Sequence, residues 1–277
     1  MQTITILGAG GKMGYRTSAN LRGSPYDVRH VEVSEVGRTR LAELGLTGVD
    51  AKDALPQSDL VILAIPDNRI GRVTKELEVL FKPGAVLIAL DAAAPFAGEV
   101  PDRADLSIFV AHPCHPPLFN DEVTSEAKAD HFGGLAAKQH VVAALLRGEK
   151  SHWDFVEDVA RRMYAPVMNL HRVTVEHMAI LEPVLSETIG ATCVAVIKEA
   201  TDEAIARGVP EEAARDFILG HLNVLIAIQF GALPGVRISD AASRAVELAK
   251  KEIFQPNWRS VFEPEAVTRS IHMITRF

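Results

Sequence analysis

Thr3-Ile4-Thr5-Ile6-Leu7-Gly8-Ala9-Gly10-Gly11-Lys12-Met13-Gly14 decides the fold. Five residues of strand character run straight into four glycines within seven positions, and a helical pattern follows from about Met13 to Leu21. A strand that hands over to a helix through glycines lets backbone amides approach a pyrophosphate, and the helix N-terminus favours the negative charge. The spacing is not G-x-G-x-x-G, because Met13 holds the place of the third glycine; it reads better as G-x-x-G-x-x-G through Gly8, Gly11 and Gly14. Gly8, Gly10, Gly11, Lys12, Met13 and Gly14 are therefore candidate contacts to a dinucleotide.

Outward from that stretch, apolar runs alternate with helical segments over the first half. Val28–Ser34, Leu60–Ile65, Ala85–Leu90 and Ser107–Ala111 read as strands. Arg38–Glu43, Ile70–Leu80 and Trp153–Tyr164 read as helices, and Lys138–Leu145 and Pro166–Leu170 could extend the sheet. This alternation predicts an α/β fold with a doubly wound, mostly parallel sheet. From Thr174 the strand signals vanish, and helices are expected at about 174–207, 211–231, 239–253 and 263–275. Pro183 falls inside the first of these and should kink it. The expected organisation is a nucleotide-binding domain over 1–172 followed by an all-α domain over 173–277.

The chain has 277 residues, a net charge of −7 and 48% hydrophobic residues. An acidic chain without a Lys/Arg run lacks the basic face that nucleic acid requires. The longest apolar stretch, Phe217–Leu233, is interrupted by His221, Asn223 and Gln229, so a membrane span is not expected. Two cysteines far apart, Cys114 and Cys193, give no disulfide framework, and the N-terminus does not read as a signal peptide; the expectation is a cytoplasmic protein.

An acid near the end of the second strand should bind the adenosine ribose, and Glu32 and Glu35 both qualify. Glu35, at the strand end, is preferred, with Glu32 a solvent-facing strand residue. Such an acid favours NAD over NADP, although Arg38 and Arg40 stand nearby. Ile65, Pro66 and Asn68 follow another strand and should flank the cofactor.

The second unusual stretch is Ala111-His112-Pro113-Cys114-His115-Pro116-Pro117-Leu118-Phe119-Asn120. It follows a strand whose end should lie at the dinucleotide crevice, and its prolines hold two imidazoles in a stiff backbone. The placement resembles the His-Pro-Met stretch of prephenate dehydrogenases, where His112 matches the catalytic histidine. It also resembles the serine-glycine loop of β-hydroxyacid dehydrogenases, where His115 matches the substrate-contacting serine. Counting back from Arg207-Gly208-Val209-Pro210, Glu182 and Glu187 fall where the latter family has its lysine and asparagine.

Two acids facing two histidines look like a divalent-metal site, similar to that of ketol-acid reductoisomerases. Mixed ligation would suit zinc or manganese better than magnesium. The expected ligands are His112, His115 and Glu182, with Glu187 as an acid/base residue. On a straight helix Glu182 and Glu187 would point about 140° apart. Asn120, His221 and Asn223 are weaker candidates for orienting hydroxyls.

From GAGGKMG through AHPCHPPLFN to LEPVLSETIG, the whole chain resembles the D-apionate oxidoisomerase-like family of short NAD-binding proteins with a phosphogluconate-dehydrogenase-like C-terminal domain. The resemblance implies NAD, a divalent metal, a branched sugar-acid substrate and oxidation at its 2-hydroxyl with hydroxymethyl migration. It also implies a homodimer built through the long apolar helices. Two alternatives stay open: a metal-free β-hydroxyacid dehydrogenase with His112 as base, and a non-catalytic NAD-binding regulator.

Overall fold

The computed structural model describes residues 1–276. Seven strands form one sheet: β1 (Thr3–Leu7), β2 (Asp27–Val31), β3 (Leu60–Leu63), β4 (Val86–Ala89), β5 (Ser107–Pro113), β6 (Gln139–Arg147) and β7 (Val167–Val173). Their spatial order is β2-β1-β3-β4-β5-β6-β7. All neighbouring pairs are parallel except β5 and β6, so β6 and β7 run against the other five.

The helices of the sheet half are α1 (Lys12–Leu21), α2 (Glu35–Glu43), α3 (Ala51–Ala54), α4 (Asp67–Leu77), α5 (Ala93–Phe96), α6 (Ser125–Ala129), α7 (Trp153–Met163) and α8 (Val175–Ala179). A π-helical stretch, Ile180–Ala191, leads to α9 (Thr192–Ala206), α10 (Glu211–Gln229), α11 (Asp240–Ile253) and α12 (Pro264–Thr275). The alternation read from the sequence is therefore the architecture observed, a Rossmann-like sheet followed by a helical region. The second strand is shorter than expected, ending at Val31. β5 is longer and carries His112 and Pro113 within the ladder, pairing with Val142 and Val141.

Both sheet faces are covered, which explains the unbroken apolar strands. Ile4, Ile6, Ile62, Ile88 and Phe109 pack on one side with Leu21 of α1 and Val156, Val159 and Met163 of α7. Their neighbours Leu7, Val61, Leu63, Leu87 and Ile108 pack on the other with Ile70 of α4, Leu55 and Phe81. The period of two along each strand divides the core between the faces.

Two compact units emerge. One comprises Met1–Glu182 with the chain from Thr268 onward; the other is Pro183–Val267. The division falls at Glu182/Pro183 rather than at 172/173. The reason is packing: Val175 and Met178 of α8 are buried with Ala89, Ala92, Val110 and Ala144, which makes α8 part of the sheet unit. Pro183 does not end the helical path, which continues through it in π winding. Proline lacks an N–H, and a wider turn carries the backbone past the missing bond. The helical run Val175–Ala206 is long and apolar enough to cross a membrane by length and composition alone.

The glycine loop corrects the spacing read from the sequence. Gly8 has φ +79°, and a Cβ there would lie 2.4 Å from the Ala64 carbonyl oxygen. A Cβ on Gly10 would lie 2.2 Å from the Gly37 carbonyl oxygen, and one on Gly14 2.0 Å from that of Gly8. At Gly11 the nearest atom would be 3.2 Å away. The sterically required set is thus Gly8, Gly10 and Gly14. Gly10→Ala is expected to cost upward of about 2 kcal/mol because α2 must move, whereas Gly11→Ala should cost under about 1 kcal/mol. Urea denaturation of both variants checks this; equal losses would contradict it.

Candidate active site

Strands β1 to β5 run the same way, so the residues after their C-terminal ends gather at one edge of the sheet, where open α/β folds bind ligands. After β1 the loop amides are mostly committed: Gly8 and Ala9 N–H donate to the Val31 carbonyl and Gly11 N–H to the Gly8 carbonyl. Lys12, Met13 and Gly14 form the first turn of α1, whose N–H groups have no intrahelical acceptor. That turn is where a pyrophosphate would be held.

After β2, Glu32 is buried rather than solvent-facing. Its carboxylate accepts from Gly10 N–H at 2.9 Å and from the Ser34 N–H and hydroxyl at 2.8 and 2.9 Å. Burial alone would raise its pKa, but the Ser34 and Gly10 donors outweigh it and hold the group below the usual carboxylate range. Glu32 therefore shapes the glycine loop directly. Glu35 opens α2 and is exposed, behind the Ser34 cap. Arg38 is turned back, its Nε donating to the Glu32 carbonyl at 2.9 Å.

After β3, Ile65 and Pro66 lead into α4; the Ile65 side chain lies against Gly8, and Asn68 is exposed in the first turn. Asp67, between them, has a buried and unpartnered Oδ1. Burial, then the nearby Asp91 carboxylate, push its pKa up to about 7, against smaller opposing effects of the Ala94 and Asp67 amides and of His112.

After β4 comes Asp91. Its Oδ1 accepts from Ala93 N–H at 2.7 Å, fixing the side chain at the start of α5. Near the C-terminal end of β5, still within its ladder, is His112, half-buried. Its Nδ1 lies 2.8 Å from the Leu90 carbonyl oxygen. A carbonyl only accepts, so Nδ1 carries the proton and Nε2 of the neutral ring presents a lone pair. Nε2 is 3.4 Å from Glu182 Oε2, and Asp91 Oδ2 is 3.8 Å from Nδ1. The buried Tyr164 hydroxyl donates to the Ala111 carbonyl at 2.7 Å and pins the strand just before His112.

Asp91, His112 and Glu182 each offer a ligand atom within 4.8 Å of the others, all inside the first unit. These donors fit a divalent cation. Two carboxylates and one imidazole bring ligand atoms within 4.8 Å of one another, and the imidazole is oriented by a backbone carbonyl as metal-bound histidines are.

The cluster differs from the expected His112, His115 and Glu182 at one position. His115 stands outside it among the described residues, and Asp91 stands within. Residue 115 has φ +60°, and the turn carries its ring to the Phe132 carbonyl, 2.9 Å from Nδ1. Asp91 was legible only as an acid directly after a strand, and Asp67 as the neighbour of Asn68. Glu187 belongs to the second unit and is exposed, with the π winding Ile180–Ala191 replacing the straight α-helix assumed for its angle to Glu182. Asn120 caps its own turn, donating to the Pro117 carbonyl at 2.7 Å. In α10, Asn223 is exposed and His221 stacks on Phe217.

Residues 120–275 match the phosphogluconate dehydrogenase (decarboxylating) C-terminal family. A D-apionate oxidoisomerase from Rhizobium rhizogenes is 53% identical over 99% of this chain and 100% of its own length. The chain belongs to the D-apionate oxidoisomerase family. A second relative of that name, from Cupriavidus necator, is 51% identical over 99% of both chains. The crystal structure of a semialdehyde dehydrogenase NAD-binding protein from Cupriavidus necator, in complex with calcium and NAD, has a TM-score of 0.97. It is 51% identical and covers 99% of this chain and 100% of that one. That crystal structure thus shares the present fold from end to end.

Asp67 gives a pH signature. The folded state holds its proton more tightly than the unfolded chain, so its contribution to stability is full below the ordinary carboxylate pKa. That contribution is lost as pH rises through about 7. In metal-free protein, stability should fall between these limits with a slope of up to about 1.4 kcal/mol per pH unit from this group. Asp67→Asn should flatten that slope in urea titrations; an unchanged slope would contradict the assignment.

Proposed function

We propose that the protein oxidises the 2-hydroxyl of D-apionate with NAD and couples this to migration of a hydroxymethyl group, giving 3-oxo-isoapionate. Two hydrogens leave the substrate, one as hydride to NAD and one as a proton. The observation that carries the reading is the Asp91–His112–Glu182 cluster at the same sheet edge as the glycine loop, in a chain whose relatives bear that name.

The first turn of α1 is proposed to hold the pyrophosphate, and Glu32 or Glu35 the ribose hydroxyls, with Ile65, Pro66 and Asn68 flanking the cofactor. Asp91, His112 and Glu182 would hold the divalent metal, zinc or manganese on this donor set. When bound, such an ion polarises a ketone and acidifies a neighbouring hydroxyl.

The remaining roles fall to the chain. The Leu90 carbonyl keeps His112 in one tautomer. His115, whose Nδ1–H is committed to the Phe132 carbonyl, keeps an Nε2 lone pair for a substrate hydroxyl or its proton. The free thiols of Cys114 and Cys193 suit the cytoplasm.

The 3.4 Å approach of His112 Nε2 to Glu182 also suits a metal-free dehydrogenase with His112 as base. Stripping divalent ions separates the two. Turnover of D-apionate, followed as NADH release, should fall at least about 100-fold on chelation and return with Mn²⁺ or Zn²⁺, while NAD affinity holds. Full turnover without metal would sink the oxidoisomerase mechanism and favour His112 as base. His112→Ala should lower kcat by about 10²–10⁴-fold under either reading; wild-type turnover in that variant would contradict both.

We also propose a homodimer through the second unit. Val194, Phe217, Leu248 and Ile253 are each more than 60% exposed in the single chain. An apolar hollow of about 790 Å³ opens among Ile189, Cys193, Val196, Ile197, Ile253 and Trp258. Such surface suits a subunit interface, and a second copy accounts for it without a membrane. Light scattering should give twice the chain mass, and Phe217→Asp with Val194→Asp should give the monomer. A monomeric wild type at micromolar concentration would refute this.

A further inference from the structure

Residues 130–137 form a loop that the oxidoisomerase reading leaves without a role, yet it is strongly built. Asp130 is buried, and its carboxylate accepts from the N–H groups of Leu135, Ala136 and Ala137 at 3.1, 2.9 and 3.2 Å. Burial would raise its pKa, but these amides and Arg16 outweigh it and keep the group ionised. Two residues of α1 tie the loop down. Arg16 donates to the Gly133 carbonyl at 3.1 Å, and Asn20 to that of Gly134 at 2.9 Å. Gly133, at φ +72°, leaves no room for a side chain: a Cβ would lie 2.5 Å from Gln139 Oε1.

The loop presents one large side chain, Phe132, which is half exposed and belongs to no core cluster. Its ring is instead surrounded by functional groups. Lys12 Nζ lies 4.6 Å from the ring centroid and Arg16 Cζ 5.3 Å. The His115 ring meets it edge-on at 5.9 Å and 83°, and the Phe132 carbonyl receives His115 Nδ1. An exposed phenylalanine gains little from burial. Between two cations and an imidazole, its negative face and fixed position supply an anchor.

We propose that Phe132 is a positioning residue that braces the cofactor loop against the histidine-proline loop. Its ring holds Lys12 at the pyrophosphate end of α1, while its ring and carbonyl fix His115 on the substrate side. The ring thus links two loops that share no backbone bond of their own among those described. The proposal rests on the NAD reading above.

The test is a double-mutant cycle on full-length enzyme, with NAD binding and D-apionate turnover read separately. Phe132→Leu should raise the NAD Kd about two- to fivefold, the range of a partly exposed cation–π pair. It should also lower kcat at saturating NAD, with Tm within about 3 °C of wild type because the ring is half exposed. Phe132→Tyr keeps the ring and should restore both. In a Lys12→Met background, Phe132→Leu should leave the NAD Kd unchanged, since the partner is already gone. Equal weakening of NAD binding in both backgrounds, or a Phe132→Leu enzyme indistinguishable from wild type, would overturn the brace. A wild-type protein that fails to bind NAD at all would overturn the NAD reading together with it.

Discussion

Two carboxylates and one imidazole are crowded together at the ends of β4 and β5 and on the segment after α8, and that crowding is the constraint on which the site depends. Such groups repel one another unless a cation or a proton lies between them. The fold holds them there regardless. Ala93 N–H fixes Asp91, the Leu90 carbonyl fixes the tautomer of His112, and the Tyr164 hydroxyl pins the strand beneath it. The raised pKa of Asp67 is a symptom of the same crowding, because after burial its largest perturbation is the Asp91 charge.

The glycine loop rests on a comparable device. Glu32 reaches across to the Gly10 amide and the Ser34 cap, joining the end of β2 to the loop after β1 and the start of α2. The close approach of Gly10 to Gly37 and of Gly14 to Gly8 leaves this packing no slack. The glycine loop and the carboxylate–imidazole cluster therefore stand on the same row of strand ends, each held by side chain to backbone bonds.

Much of this was legible in the residues. The alternation of apolar runs and helical periods placed the first five strands and the helices after 174, and offered the last two strands as extensions of the sheet, because local periodicity reports burial directly. His112 and Glu182, 3.4 Å apart here, were brought together in the sequence only through the resemblance to related dehydrogenases. What could not be read depends on sheet order and local backbone. Asp91 joins His112 only because β4 and β5 are neighbours, and nothing in Leu90-Asp91-Ala92 announces that. His115 sits three residues from His112, but its left-handed backbone turns it to another loop. Glu32 looked solvent-facing because its alternation was sound, while the neighbouring α2 that buries it was not foreseen to begin at Glu35. The unit boundary moved past Glu182 because α8 packs on the sheet, which helical periodicity alone does not show.

The central claim is that Asp91, and not His115, completes the ligand set with His112 and Glu182. Calorimetric titration of Mn²⁺ into metal-free wild type, Asp91→Asn and His115→Ala tests it most directly. The account predicts one tight site in the wild type, retained in His115→Ala and weakened at least about tenfold in Asp91→Asn. Loss of Mn²⁺ binding in His115→Ala with full retention in Asp91→Asn would contradict it.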